Sequence, residues 1–357
     1  LSIRRQRQMC IRDRAQTRQQ MGGVYYAYPE GPSAKTGTFG TATYVLSDSL
    51  NVPQGYAPFY ISHYGRHGSR WMPKDDRYVW ICKHFEDESN LTPLGLQVKG
   101  MLQRVWENAR GNGGKLSKLG ALQHQGIAHR MFERYPQIFA AGNAVKARSS
   151  VVDRCAKSMQ AFTSKLHTLQ SGLNLDVKTD SADMAWIAYV SPEVKALENR
   201  THVQAQVSPR RFLLQLFKDV SKVDEPLKLM TEMHTVASSI QDVGLNFSSY
   251  PQDIEDGLNA LFTDDEFRAI YEANNLRMAI NNGTVATNED IPARSAISLW
   301  QNIEAEADRA LRSVKSSATL RFGHDTALYR LLSLLFDVNV PPAGAREEAS
   351  LVVLGDE

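Results

Sequence analysis

The chain has 357 residues, 42% of them hydrophobic and 22% charged. That suits one large α/β domain with an insertion or two modest domains, and it excludes wholesale disorder, a collagen-like repeat and a disulfide scaffold. The formal net charge is +2, but six arginines (Arg4, Arg5, Arg7, Arg12, Arg14 and Arg18) fall in the first nineteen residues beside a single acid, Asp13. The remaining residues carry 35 basic against 38 acidic side chains, so the body offers no electrostatic footprint for nucleic acid or an anionic membrane.

The basic stretch LSIRRQRQMCIRDR has no initiator Met and no apolar segment of signal-peptide type, so residues 1–23 are expected to be a non-native or disordered leader. No apolar run approaches the ~20 residues that a membrane-spanning helix needs. Cys10, Cys82 and Cys155 show no CxxC or metal-ligand spacing and are expected to be free thiols.

Residues 24–49 are rich in Tyr, Gly, Thr and Ser without helical period and read as loop and short strand. Residues 57–63 form a short apolar and aromatic run, a buried strand that leads to Arg66-His67-Gly68-Ser69-Arg70. Helical spacing follows over 94–107 and 120–135, then a strand over 144–148 and a helix with Val152, Cys155, Met159 and Phe162 on one side. From 161 to 309 the pattern is mostly helical, with pieces at 211–220, 227–240, 254–262, 265–279 and 295–312. Turn signals such as Ser191-Pro192, Tyr250-Pro251 and Asn282-Gly283 separate them.

Strand character returns at 318–322, followed by Gly323-His324-Asp325-Thr326 and a Leu-rich helix over 327–336; 350–354 is a last candidate strand. The alternation predicts an α/β fold, a mainly parallel sheet flanked by helices, with an inserted and mostly helical cap domain. The core is expected over 24–160 plus 310–357 and the cap over 161–309, with a truncated C-terminus.

In parallel sheets the loops after the strands' carboxyl ends build the site. Three such ends deliver Arg66, His67 and Arg70; Arg148; and His324 with Asp325. Guanidinium groups hold phosphate oxygens in a forked, permanently charged geometry. A neutral imidazole can attack phosphorus, and a nearby carboxylic acid can protonate the departing alkoxide. Asp325 also precedes a helix, where the plainer reading is an N-cap.

Arg66-His67-Gly68-Ser69-Arg70 is similar to the RHGxR signature of the histidine acid phosphatases, a branch that contains phytases, glucose-1-phosphatases and multiple inositol-polyphosphate phosphatases. His324-Asp325 resembles their downstream HD motif, and Arg148, in VKARSS ahead of a helix, resembles their third phosphate-binding arginine. The resemblance implies that His67 becomes a phosphohistidine and that Arg66, Arg70, Arg148 and His324 hold the phosphate. Asp325 would protonate the leaving group. It also implies small-molecule phosphate esters as substrates, an acid optimum, no metal and no cofactor, and a periplasmic or secreted location; the charge balance argues against nucleic-acid or membrane partners, and the oligomeric state is open with a monomer favoured.

Lys74 follows the signature closely enough to touch a second phosphate, against the plainer reading of a solvated lysine. Two departures stand out. Pro73 is the third residue after the signature where many members have Pro second, and HD replaces the HAE frequent in the multiple inositol-polyphosphate type, which points away from that subfamily. The rival to a hydrolase is a phosphoester-binding member without turnover, or an inactive fragment.

Overall fold

The computed structural model describes residues 55–336 apart from positions 286 and 314. The expected leader, the 24–49 segment and the 350–354 strand lie outside the described residues. Strand β1 (Tyr60–Arg66) is followed by helices α1 (Asp75–Lys83), α2 (Pro93–Ala109) and α3 (Lys118–Arg134). Next come β2 (Ala144–Ser149), α4 (Asp153–Leu169) and β3 (Asn174–Thr179). A helical series then runs through α5 (Met184–Ile187), α6 (Pro192–Arg200), α7 (Arg210–Leu216), α8 (Pro226–Val243), α9 (Gln252–Asn259), α10 (Asp264–Asn282), α11 (Ile291–Arg294) and α12 (Ile297–Leu311). Strand β4 (Ser317–Gly323) and α13 (Asp325–Leu335) complete the described chain. Among the described residues no helix is long and apolar enough to cross a membrane.

The sheet is wholly parallel, in the order β1-β4-β2-β3. One face is apolar: Val145, Ala147, Ala318, Leu320 and Phe322 pack against Ala128 of α3 and against Met159, Phe162 and Leu166 of α4. Each fully buried Phe or Leu here contributes roughly 1.5–3 kcal/mol. The opposite face is polar, with Lys146 paired to Glu306 of α12 at 2.7 Å and buried Arg321 bonded to Asn302 and Ser62. Parallel strands with helices on both faces are what the alternating pattern calls for.

Two boundaries differ from the sequence reading. β3 belongs to the sheet although it falls at 174–179, inside the expected cap. Its sequence NLDVKT is largely exposed at the sheet edge and lacks the apolar run that marks a buried strand. The larger apolar cluster also joins Trp71, Tyr78, Ile81, Val98 and Leu102 with Phe212, Met233, Ile254 and Phe267. Residues 71–109 therefore pack with the helical part and not with the sheet, a long-range association that local periodicity does not encode. The helix 75–83 has no counterpart among the expected elements, because its apolar face carries only Tyr78 and Ile81 at full burial. Cys82 and Cys155 are both free.

Candidate active site

The register of the sheet places the site. Arg66 pairs with Gly323 and Ser149 with Phe322, so the chain leaves three adjacent strands at one level, and His67, His324 and Ser150 emerge side by side. His67 N–H donates to the carbonyl of Gly323 at 3.0 Å, extending the β1–β4 ladder by one bond past the strand. The two imidazoles stand edge to face with centroids 5.6 Å apart.

His67 is 4% exposed, and its Nδ1 lies 2.9 Å from the carbonyl of Gly68. A carbonyl can only accept, so Nδ1 carries the proton and the lone pair is on Nε2. Burial is the main cause that pulls the His67 pKa down to about 2, and the charges of Arg66, Arg154 and Arg70 act in the same direction. The imidazole is therefore neutral through the acid range. His324 is held at about 4 by burial and by Arg154, Arg66 and Arg70, with Asp325 opposing. Ser150 Oγ and Cys155 Sγ lie 3.4 and 3.7 Å from His324 Nε2.

Arg70 is drawn down to about 10 by burial and by the neighbouring Arg66 and Arg154 charges. Both Arg70 and Arg154 keep a buried Nε with no protein partner. Clustering three guanidiniums is costly in a protein interior, and an anion bound between them relieves that cost. Asp325 lies at the edge of the cluster. Its Oδ2 accepts Arg66 Nε at 3.0 Å, and its Oδ1 accepts the Thr326 amide at 2.9 Å. The helix N-cap is His324, which makes no side-chain cap bond, so Asp325 is the first helical residue and not the cap.

The glycines of the site allow close backbone approach. A Cβ on Gly68 would lie 2.4 Å from the carbonyl oxygen of Gly120, and one on Gly120 would lie 2.2 Å from the carbonyl oxygen of Ser69. The signature loop thus lies directly on the first turn of α3. Gly68 also donates to Ser158 Oγ of α4 at 3.0 Å.

Arg66, His67, Arg70, His324 and Asp325 are brought together; Arg148 and Lys74 are not. Arg148 lies within β2, before its end, and shares the polar face with Lys146 and Arg321. Its guanidinium bonds Asp176 of β3 at 2.5 Å and lies 3.8 Å from Asp183. The third arginine is Arg154, in the first turn of α4, six residues after the expected one. The pattern of an arginine at the start of the helix after β2 would have found it, but VKARSS drew the reading one motif too early. Lys74 is exposed at the start of α1, and its charge is not among the leading influences on His67 or Arg70. Buried His124 of α3 supports the site: its Nε2–H donates to the Arg66 carbonyl at 3.1 Å.

No protein-family model matches the chain. In sequence it is similar to multiple inositol polyphosphate phosphatase 1 of Gallus gallus, 23% identical over 230 residues, which is 62% of this chain and 51% of that protein. The chain therefore spans about half the length of the curated relative it matches. In structure it is similar to the Bifidobacterium longum multiple inositol polyphosphate phosphatase in complex with inositol hexasulfate. The TM-score is 0.63 at 15% identity, over 88% of this chain and 82% of that one. The phytase from D. castellii follows at a TM-score of 0.57 and 13% identity, over 88% and 67% of the two chains. The chain has the fold of these proteins, which are of the kinds that the RHGxR resemblance names. Multiple inositol polyphosphate phosphatases, which the HAE departure points away from in sequence, are among the proteins it resembles in sequence and in fold.

Proposed function

We propose that this protein hydrolyses phosphate monoesters of small polyols, inositol phosphates foremost, through a phosphohistidine on His67. The observation that carries the reading is the His67 imidazole itself: buried, neutral in acid, with its Nδ1–H donated to the Gly68 carbonyl, its Nε2 lone pair left available, and the charges of Arg66, Arg154 and Arg70 acting on it. The three guanidiniums and His324 hold the phosphoryl oxygens and balance the charge that builds up in the transition state. Nε2 attacks phosphorus in line, the P–O ester bond breaks, and Asp325 gives its proton to the leaving alkoxide. Water then attacks the phosphohistidine, with Asp325 taking up a water proton, and inorganic phosphate leaves. The names of the similar proteins support inositol phosphates as the substrate class.

The test is phosphate release from phytate and p-nitrophenyl phosphate between pH 3 and pH 8, with the wild type and His67→Ala compared. Turnover is expected in acid and should fall by at least about 10³-fold in the mutant. An alkaline quench should leave phosphate on His67, since phosphohistidine is stable to base. Comparable activity in His67→Ala, or phosphate recovered on Ser69, removes the nucleophile assignment.

A further inference from the structure

Ser69, the variable position of the signature, is buried and has every polar group engaged. Its N–H donates to Gln123 Oε1 at 2.9 Å, and its carbonyl accepts both the N–H and the hydroxyl of Ser117, at 2.9 and 3.0 Å. Its own hydroxyl donates to Asp242 Oδ1 at 2.6 Å. The first three bonds come from α3 and its cap. The fourth comes from α8 in the helical part, and of the four it alone goes to a charged group, a class roughly twice as strong as neutral hydrogen bonds.

The chain around the end of α8 makes two more contacts at the same place. Asn246 Oδ1 accepts the N–H of Lys118 at 3.1 Å, and Phe247 stacks on Trp71 with ring centroids 6.3 Å apart. The Asp242 charge also acts on Arg70, favouring its charged form against the repulsion of Arg66 and Arg154.

We infer that Asp242 is a positioning residue for the phosphate-binding loop: through Ser69 Oγ it holds the backbone between His67 and Arg70, and it ties that loop to the helical part of the chain. The inference rests on the phosphatase reading above. Asp242 does not itself hold the phosphoryl group, because a carboxylate repels it. It acts on the residue between the two groups that do the chemistry, and it offsets part of the cost of placing Arg70 beside two other guanidiniums.

The experiment compares Asp242→Ala, Asp242→Asn, Ser69→Ala and the double Asp242→Ala/Ser69→Ala, with Asp253→Ala, an exposed partner of Arg104, as control. Each is assayed for kcat and KM on p-nitrophenyl phosphate and for amide hydrogen exchange over residues 66–72. Loss of the bond should lower kcat about tenfold in both Asp242→Ala and Ser69→Ala, with faster exchange in the loop. The double variant should be no worse than the poorer single one, since both remove the same contact. Asp242→Asn retains an acceptor for the Ser69 hydroxyl and should recover most of the protection and most of kcat. Additive losses, or unchanged exchange in a folded Asp242→Ala, overturn the inference. If Asp242→Ala does not fold, exchange in Ser69→Ala decides in its place. If the wild type shows no turnover, the phosphatase reading fails, and exchange still decides whether Asp242 holds the loop.

Discussion

Arg66 and Asp325 meet through a 3.0 Å contact from Nε to Oδ2, joining the last residue of β1 to the first residue of the helix that follows the neighbouring β4. The pair is about one-third exposed on each side, so the carboxylate is held by the cluster yet open to solvent and to a leaving group. Asp325→Asn keeps the size and an acceptor for the Thr326 amide but removes the transferable proton. Activity on phytate or glucose-1-phosphate, whose alkoxides are strong bases, should fall by about 10²–10⁴-fold, and activity on p-nitrophenyl phosphate much less. Equal losses on all substrates in steady-state assays would leave no case for leaving-group protonation.

The two arginines of the β2 region should separate cleanly. Arg154→Ala removes a charge that acts on His67 and should cost roughly 10²-fold or more in kcat, with a melting temperature held or raised because the guanidinium repulsion is relieved. Arg148→Ala removes the buried partner of half-exposed Asp176. It should destabilise the fold by about 1–2 kcal/mol with kcat retained, the smaller figure reflecting that Asp176 can rehydrate. Thermal melts beside kinetics decide this, and the reverse pattern would restore Arg148 to the site.

Gly120→Ala tests the packing of the signature loop on α3. Its Cβ would meet backbone atoms of Ser69 at 2.2 and 2.8 Å, so either the loop or the helix must move. A stability loss of about 1–3 kcal/mol is expected, together with at least about a tenfold fall in kcat. Gly100→Ala, within α2 and with nothing beyond its own stretch of helix within 4 Å of the added carbon, should instead stabilise by roughly 0.5–1 kcal/mol. Urea unfolding of the two variants gives both numbers.

Four histidines with lowered pKa values set the acid side of the stability curve. Burial is the first cause in each case, and it holds His63 and His324 at about 4, His124 at about 3 and His67 at about 2. In the unfolded chain each titrates near 6.5, so below that pH the unfolded state binds protons that the folded state refuses. Stability should fall as pH drops from about 6.5, by up to ~1.4 kcal/mol per pH unit for each histidine, and should level only below the folded values. His124 would have to protonate at Nδ1, which is buried without a partner, so His124→Gln should flatten the slope by about one proton. Unfolding free energies between pH 7 and pH 4.5 measure this, and parallel slopes for the two proteins would contradict it.

Much of the site is legible in the sequence. RHGSR and HD are contiguous motifs, and strand-then-loop-then-helix patterning says that both lie at carboxyl ends of strands, where a parallel sheet must bring them to one edge. The helices expected over 94–107, 120–135 and 265–279 were equally legible from helical spacing, and the structure extends them to 93–109, 118–134 and 264–282 with caps at Thr92, Ser117 and Thr263. Asp325 could not be parted from a helix cap by sequence, since both roles call for the same residue at the same place. The structure puts Asp325 in the first turn, accepting both Arg66 Nε and the Thr326 amide.

The remaining decisions belong to distance in the chain. Whether Arg148 or Arg154 faces His67 depends on where β2 ends and which way its side chains alternate; the sheet register sets that, and composition near the residue does not. The edge strand β3 is polar and short, so it becomes a strand only because β2 offers it an open ladder of backbone groups. Residues 71–109 join the helical part because their apolar faces find partners more than a hundred positions away, across α7 to α10. The same holds for Asp242, whose link to Ser69 spans 173 positions and follows no local pattern. Motif chemistry and local periodicity were written in the sequence itself. Which charges act on one buried imidazole was decided only by tertiary packing, because burial and orientation are properties of the whole folded chain.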